Sequence, residues 1–151
     1  MELSDITQPY NEAMDILKRH GFHPSTRKEE LVTWFECDTP NPDIGLDIVM
    51  RNRYLLVHEL VEIDEVKRKG LKLTKDVIIK NPAIVDAAHL RAAEVEIEIA
   101  EKERDYSHIQ WRYSHIKGWS EDPNVPESLR AEYTDFYRHV AGILRKAARN
   151  P

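Results

Sequence analysis

The sequence predicts an all-α protein, an up-and-down helical bundle of four to five helices with one central buried helix and one long heptad-like helix. Three observations carry this. Apolar residues recur three and four apart over long stretches, the period of a helix face. Two stops have the same chemistry: Lys18-Arg19-His20 before Gly21, and Lys67-Arg68-Lys69 before Gly70. Basic residues complement a helix C-terminus, and glycine accepts the left-handed backbone just beyond it. Only 5 glycines occur in 151 residues, too few for the tight turns of an all-β chain.

Residues 4–20 read as an amphipathic helix, with Thr7 as a cap, Pro9 in the first turn, and Tyr10, Ala13, Met14 and Leu17 on one face. Residues 22–42 form an irregular lead-in. Within it Thr26 and Glu29 suit a capping box, and Leu31, Trp34 and Phe35 share a helical face, so a short helix is preferred to a strand. Thr39-Pro-Asn-Pro-Asp is a loop on either reading, because its two prolines break both ladders. From Asp43 to Lys69 the apolar residues occupy more than one face, which predicts a long, central, mostly buried helix. A short turn follows at 74–80.

Asn81-Pro82 is a start signal, an N-cap followed by proline at the first helical position. From Val85 to Ile116 a seam in 3-4 spacing predicts one long helix over 82–117. A break near Asp105–Ser107 fits the pattern, since either residue can cap a new helix. Residues 118–125, with Asp122-Pro123-Asn124, form a loop. Pro126 opens the last helix, whose core stripe runs from Leu129 to Ala147. Residues 1–151 read as a single helical domain.

Charged residues make up 32% of the chain and the net charge is −5, so no basic face is offered to nucleic acid. No uncharged apolar run approaches the ~20 residues that cross a bilayer. Cys37 is the single cysteine, which excludes an intrachain disulfide and points to a reducing cytoplasm. The acidic start, Met-Glu-Leu-Ser-Asp, lacks the features of a signal peptide. Glu36 and Asp38 flank Cys37 and should raise its pKa, which argues against a nucleophile.

The stretch with chemistry is Tyr54–Ile63, which carries His58, Glu59 and Glu62 inside an apolar run. On a helix the three fall within one ~100° arc. The plain reading of Glu59 is a salt bridge, to Arg51 or to an arginine on a neighbouring helix. His89 strengthens the case for a site. In an antiparallel pair of helices over 44–69 and 82–117, Glu62 lies roughly 11 Å from the Lys69 end and His89 roughly 10 Å from Pro82. The two are level, so Glu62 should meet His89 and His58 should face Glu96, with Asp86 one turn from His89. Two histidines and several carboxylates on facing helices have the composition of a divalent-metal site for Zn, Mn, Fe or Ni. His58, Glu62, His89, Glu96 and Asp86 are the expected ligands, and Glu59 the expected general base. His108 and His115, two turns apart, are expected to be exposed.

His58-Glu59-Leu-Val-Glu62 resembles the His-Glu-x-x-His helix of zinc proteases, with Glu62 in place of the second histidine. It also resembles the His-Asp-x-x-Glu helix of HD-type metal-dependent phosphohydrolases, which are all-helical. The second resemblance, over about ten residues, implies that His58 and Glu59 ligate the ion, that Glu62 is the acid, and that His20 or His23 stands where an upstream ligand would. Glu59 replaces that family's signature aspartate.

Two functions follow from these readings. One is a metal-dependent hydrolase of a small, phosphorylated substrate. The other is a non-enzymatic interaction protein, a homodimer built on the heptad-like seam, in which the His/Glu cluster is a buried polar network that fixes register.

Overall fold

A computed structural model describes residues 2–40 and 44–150. Among them are eight helices and no strand, so the chain is all-α. They group into two compact units, Met1–Ala93 and Glu94–Pro151. No helix of the described residues is long and apolar enough to cross a membrane. Part of the expected loop at 39–43 and the expected helix start at Asp43 lie outside the described residues.

In the first unit α1 spans Leu3–Arg19 and buries Ile6, Ala13, Ile16 and Leu17. It begins before Thr7, whose hydroxyl donates to the Leu3 carbonyl inside the first turns instead of capping. The Asp5 carboxylate receives the Glu2 N–H and makes the true start. Pro9 therefore lies two turns in, where its missing N–H leaves the Asp5 carbonyl without its usual intrahelical donor. The stop is as expected: Gly21 has φ 85°, and the Phe22 N–H returns to the Leu17 carbonyl at 2.9 Å.

α2 spans Lys28–Phe35, so the 22–42 lead-in contains a helix and not a strand. Its cap is shifted by one residue from the Thr26/Glu29 pair: Glu30 receives the Arg27 N–H at 2.8 Å. Thr26 is taken for another purpose, its buried hydroxyl donating to the Leu60 carbonyl at 2.6 Å. The Ser25 N–H and hydroxyl both donate to Asp64. The Tyr10 hydroxyl donates to the Thr26 carbonyl. These bonds tie the loop before α2 to both α1 and the central helix.

The expected 43–69 helix is two helices, α3 at Leu46–Val49 and α4 at Arg53–Arg68. Asn52 divides them by adopting an extended backbone and accepting the Tyr54 and Leu55 N–H groups. α4 is central as expected, with Leu55, Leu56, Leu60, Ile63 and Val66 buried on one side and Tyr54, Val57 and Val61 on the other, and it packs against α1, α2 and α3. Gly70, with φ 82°, ends it. α5 is a single turn, Val77–Lys80, and α6 spans Pro82–Lys102, with proline at the first position as expected.

The second unit holds the end of α6, α7 at Tyr106–Glu121 and α8 at Glu127–Arg149. The 82–117 stretch is thus interrupted, at the break that the Asp105–Ser107 caps allowed. Arg104 turns left-handed at φ 58°, and Asp105 accepts the His108 N–H to start α7. α7 runs through Gly118 to Glu121, shortening the expected 118–125 loop at its start. α7 and α8 pack together, with Tyr113 stacked on Tyr137 at 4.9 Å and their hydroxyls bonded at 2.9 Å.

Candidate metal centre

α4 is helical without interruption from Arg53, so His58 and Glu62 stand one turn apart on the same face. α6 brings in His89 two turns after Pro82. Three atoms converge: His58 Nε2 lies 3.2 Å from Glu62 Oε2 and 3.1 Å from His89 Nδ1, and His89 Nδ1 lies 3.7 Å from Glu62 Oε2. The imidazoles meet edge to face, 4.7 Å between centroids. The His58 and Glu62 side chains are 3% and 9% exposed and His89 is 29% exposed, so the group is open on the His89 side.

The His58–His89 contact is a hydrogen bond whose donor is set by the tautomer, and the same three atoms are placed to share a metal ion. Burial pushes the Glu62 carboxyl up, but its interactions with His58 and His89 outweigh this and hold it at about 2. Glu62 is therefore an anion at neutral pH. The edges of 3.1–3.7 Å are close to the ~3.4 Å that separates neighbouring donors on a tetrahedral ion with bonds near 2.1 Å.

The expected meeting of Glu62 with His89 is present, and His58 joins it. Glu59 and Asp86 are half-buried on α4 and α6, each near a member of the trio but outside it. His20 and His23 are outside it too. Glu96 belongs to the second unit, where it is fully buried and bonded to His108 Nε2 at 2.6 Å and, by both oxygens, to Arg112 at 2.7 and 2.8 Å.

That second cluster corrects one expectation. His108 is 6% exposed, not a surface histidine, whereas His115 is exposed as expected. The break at Arg104 restarts the helix register and turns His108 and Arg112 inward together. The Arg112 guanidinium also lies 5.0 Å from the ring centroids of both Trp111 and Trp119, two cation–π contacts. The i,i+4 spacing of His108 and Arg112 behind the Asp105 cap was the available signal. Cys37 behaves as expected: burial, then Asp38 and Glu36, push its thiol up.

No protein family, curated protein or solved structure matches this chain.

Proposed function

We propose that this protein binds a divalent metal ion through His58, Glu62 and His89 and uses it to hydrolyse a small, phosphorylated substrate in the cytoplasm. The observation that carries the reading is the convergence of three ligand atoms from two helices within 4.8 Å of one another. Two neutral imidazoles and one carboxylate are a donor set for Zn, Mn, Fe or Ni, and they leave coordination positions for water and substrate. The resemblance of His58-Glu59-x-x-Glu62 to the HD-type phosphohydrolase helix supports hydrolysis of a phosphoester. Glu59, the neighbour of His58, is the general base in this reading, and Asp86, one turn from His89, supplies a supporting carboxylate, whereas Glu96 is committed to His108 and Arg112.

Elemental analysis of untagged protein beside its His58→Ala variant tests the reading. Near-stoichiometric metal, lost in the variant, is expected, and a phosphatase and peptidase screen of the loaded protein then tests catalysis. Absence of metal from both samples after divalent ions are added back overturns it.

A second reading, a helical homodimer with a structural polar network, has its own support. The trio is already internally bonded, and among the described residues no buried side-chain nitrogen or oxygen lacks a partner. The two readings part on chelation. Chelator should lower the melting temperature of a metalloprotein as purified and leave a proton-shared network unchanged.

A further inference from the structure

We propose that the α7–α8 face around Tyr113 and Tyr137 binds a phosphate dianion, free or as the monoester of a small molecule, between Lys117 and Arg145. The site lies within the second unit and stands whether or not His58, Glu62 and His89 hold a metal.

The tyrosine pair supplies a donor. The rings stack with centroids 4.9 Å apart and planes at 14°, and the hydroxyls are 2.9 Å apart. Each phenol has one proton, so whichever hydroxyl donates within the pair, the other's proton points away from it. Among the described residues no other group accepts that outward proton. Both side chains are half-buried, which leaves the donor within reach of solvent.

Two cations flank the pair. α7 and α8 pack together across the short connection at 122–126 and so run antiparallel. Lys117 stands one turn from Tyr113 on the connection side, and Arg145 two turns from Tyr137 on the other side. Arg145 Nη2 is 3.8 Å from where a Cβ on Gly142 would lie, so the side chain folds back along α8 toward Tyr137. The bond to Tyr137 raises the Tyr113 pKa, whereas the charges of Arg145 and Lys117 lower it, so both cations reach the pair. Both are exposed, and among the described residues neither pairs with a carboxylate. None of the residues three or four positions from either tyrosine is acidic.

The charge and donor count select the ligand. A phosphate monoester carries roughly −1.5 to −2 charges at neutral pH and three acceptor oxygens, matching two cations and one phenol donor. The planar guanidinium of Arg145 suits two of those oxygens. A carboxylate, with one charge, would leave one cation unbalanced. Lys146 provides the contrast: it is exposed beside Arg145 but lies nine residues from Tyr137, on the opposite side of α8.

Calorimetric titration with inorganic phosphate and with glycerol 3-phosphate tests the site, at mildly alkaline pH where both are dianions. Chelator is present throughout, so that no ion on the His58 trio contributes. One ligand per chain is expected, with sulfate competing and chloride not. Arg145→Met and Lys117→Met should each weaken binding about tenfold, since each removes one charge-assisted hydrogen bond. Lys146→Met removes the same charge from the opposite side and should leave binding unchanged. All three positions are exposed, and far-ultraviolet circular dichroism checks that the variants keep their helices. Binding of inorganic phosphate as well as the ester supports the free ion as ligand, and binding of the ester alone supports the small-molecule source. Equal weakening in all three variants overturns the site, leaving only diffuse attraction, and no binding of either ligand by the wild-type protein overturns it outright.

Discussion

Glu62 in the first unit and Glu96 in the second are both buried glutamates facing a histidine, Glu62 Oε2 at 3.2 Å from His58 and Glu96 Oε2 at 2.6 Å from His108. They differ in the other charge. Glu96 has the Arg112 guanidinium on both oxygens, a permanent cation that also contacts two tryptophan rings. Glu62 is paired with His58 and His89, whose positive charge depends on protons that a metal can replace. Buried glutamate–histidine pairs thus carry a permanent cation in one unit and only a second histidine in the other. The nature of the cation partner, more than burial or histidine content, separates a structural carboxylate from a candidate ligand.

The largest effect should come from breaking the second cluster. Arg112→Met leaves Glu96 buried without its cation, and unfolding by denaturant should show a loss of about 3–5 kcal/mol, independent of chelator. Changing Glu96→Gln as well should restore much of that. If Arg112→Met is as stable as the wild type, Glu96 is not held in the way described.

The first cluster should respond to zinc instead. At one hundred times its dissociation constant, Zn²⁺ should stabilise the wild-type protein by about 2.7 kcal/mol, an increment absent from His58→Ala and removed by chelator. A zinc increment of equal size in His58→Ala would place the binding elsewhere.

Asn52→Ala tests the cap that sets the α4 register carrying His58 and Glu62. It should cost about 1 kcal/mol, equally with and without zinc, because it weakens the helix start and not the ligands. A loss confined to the zinc-loaded protein would link the cap to the site.

The smallest effect belongs to a third carboxylate, Glu30. Burial pushes it up, but the Arg27 N–H and the Lys67 ammonium bonded to it outweigh this and lower its pKa. A lowered folded-state pKa gives stability that is present above the unfolded value and lost as pH falls through the folded one. Glu30→Gln should therefore be less stable than wild type at neutral pH, by no more than about 0.5 kcal/mol because solvent screens the pair, and the difference should vanish in acid. A difference that grows on acidification would reverse the assignment.

Much of the candidate site was legible because it depends on short stretches of helix. His58 and Glu62 share a face wherever α4 is helical, and counting rise from Lys69 and Pro82 placed Glu62 level with His89. The same count failed further along. It was carried through 103–105, past the break that an Asp105 or Ser107 cap allowed, and a single left-handed residue at Arg104 rotates every side chain after it. His108 was consequently read as surface, and Glu96 was assigned only to the metal. The Thr26 cap was misplaced for a related reason: its hydroxyl serves the Leu60 carbonyl 34 residues away, a competitor that no local pattern contains.

The sequence by itself determined the all-α class, the ends of α1 and α4 and the start of α6, since basic last turns, C′ glycines and an Asn-Pro start act within a few residues. It also determined that His58 and Glu62 would stand together. Only the tertiary structure decided that the 43–69 stretch divides at Asn52, which carboxylate receives an arginine and which meets two histidines. Those outcomes depend on angles accumulated through breaks and on partners far apart in the chain, for which local helix geometry carries no information.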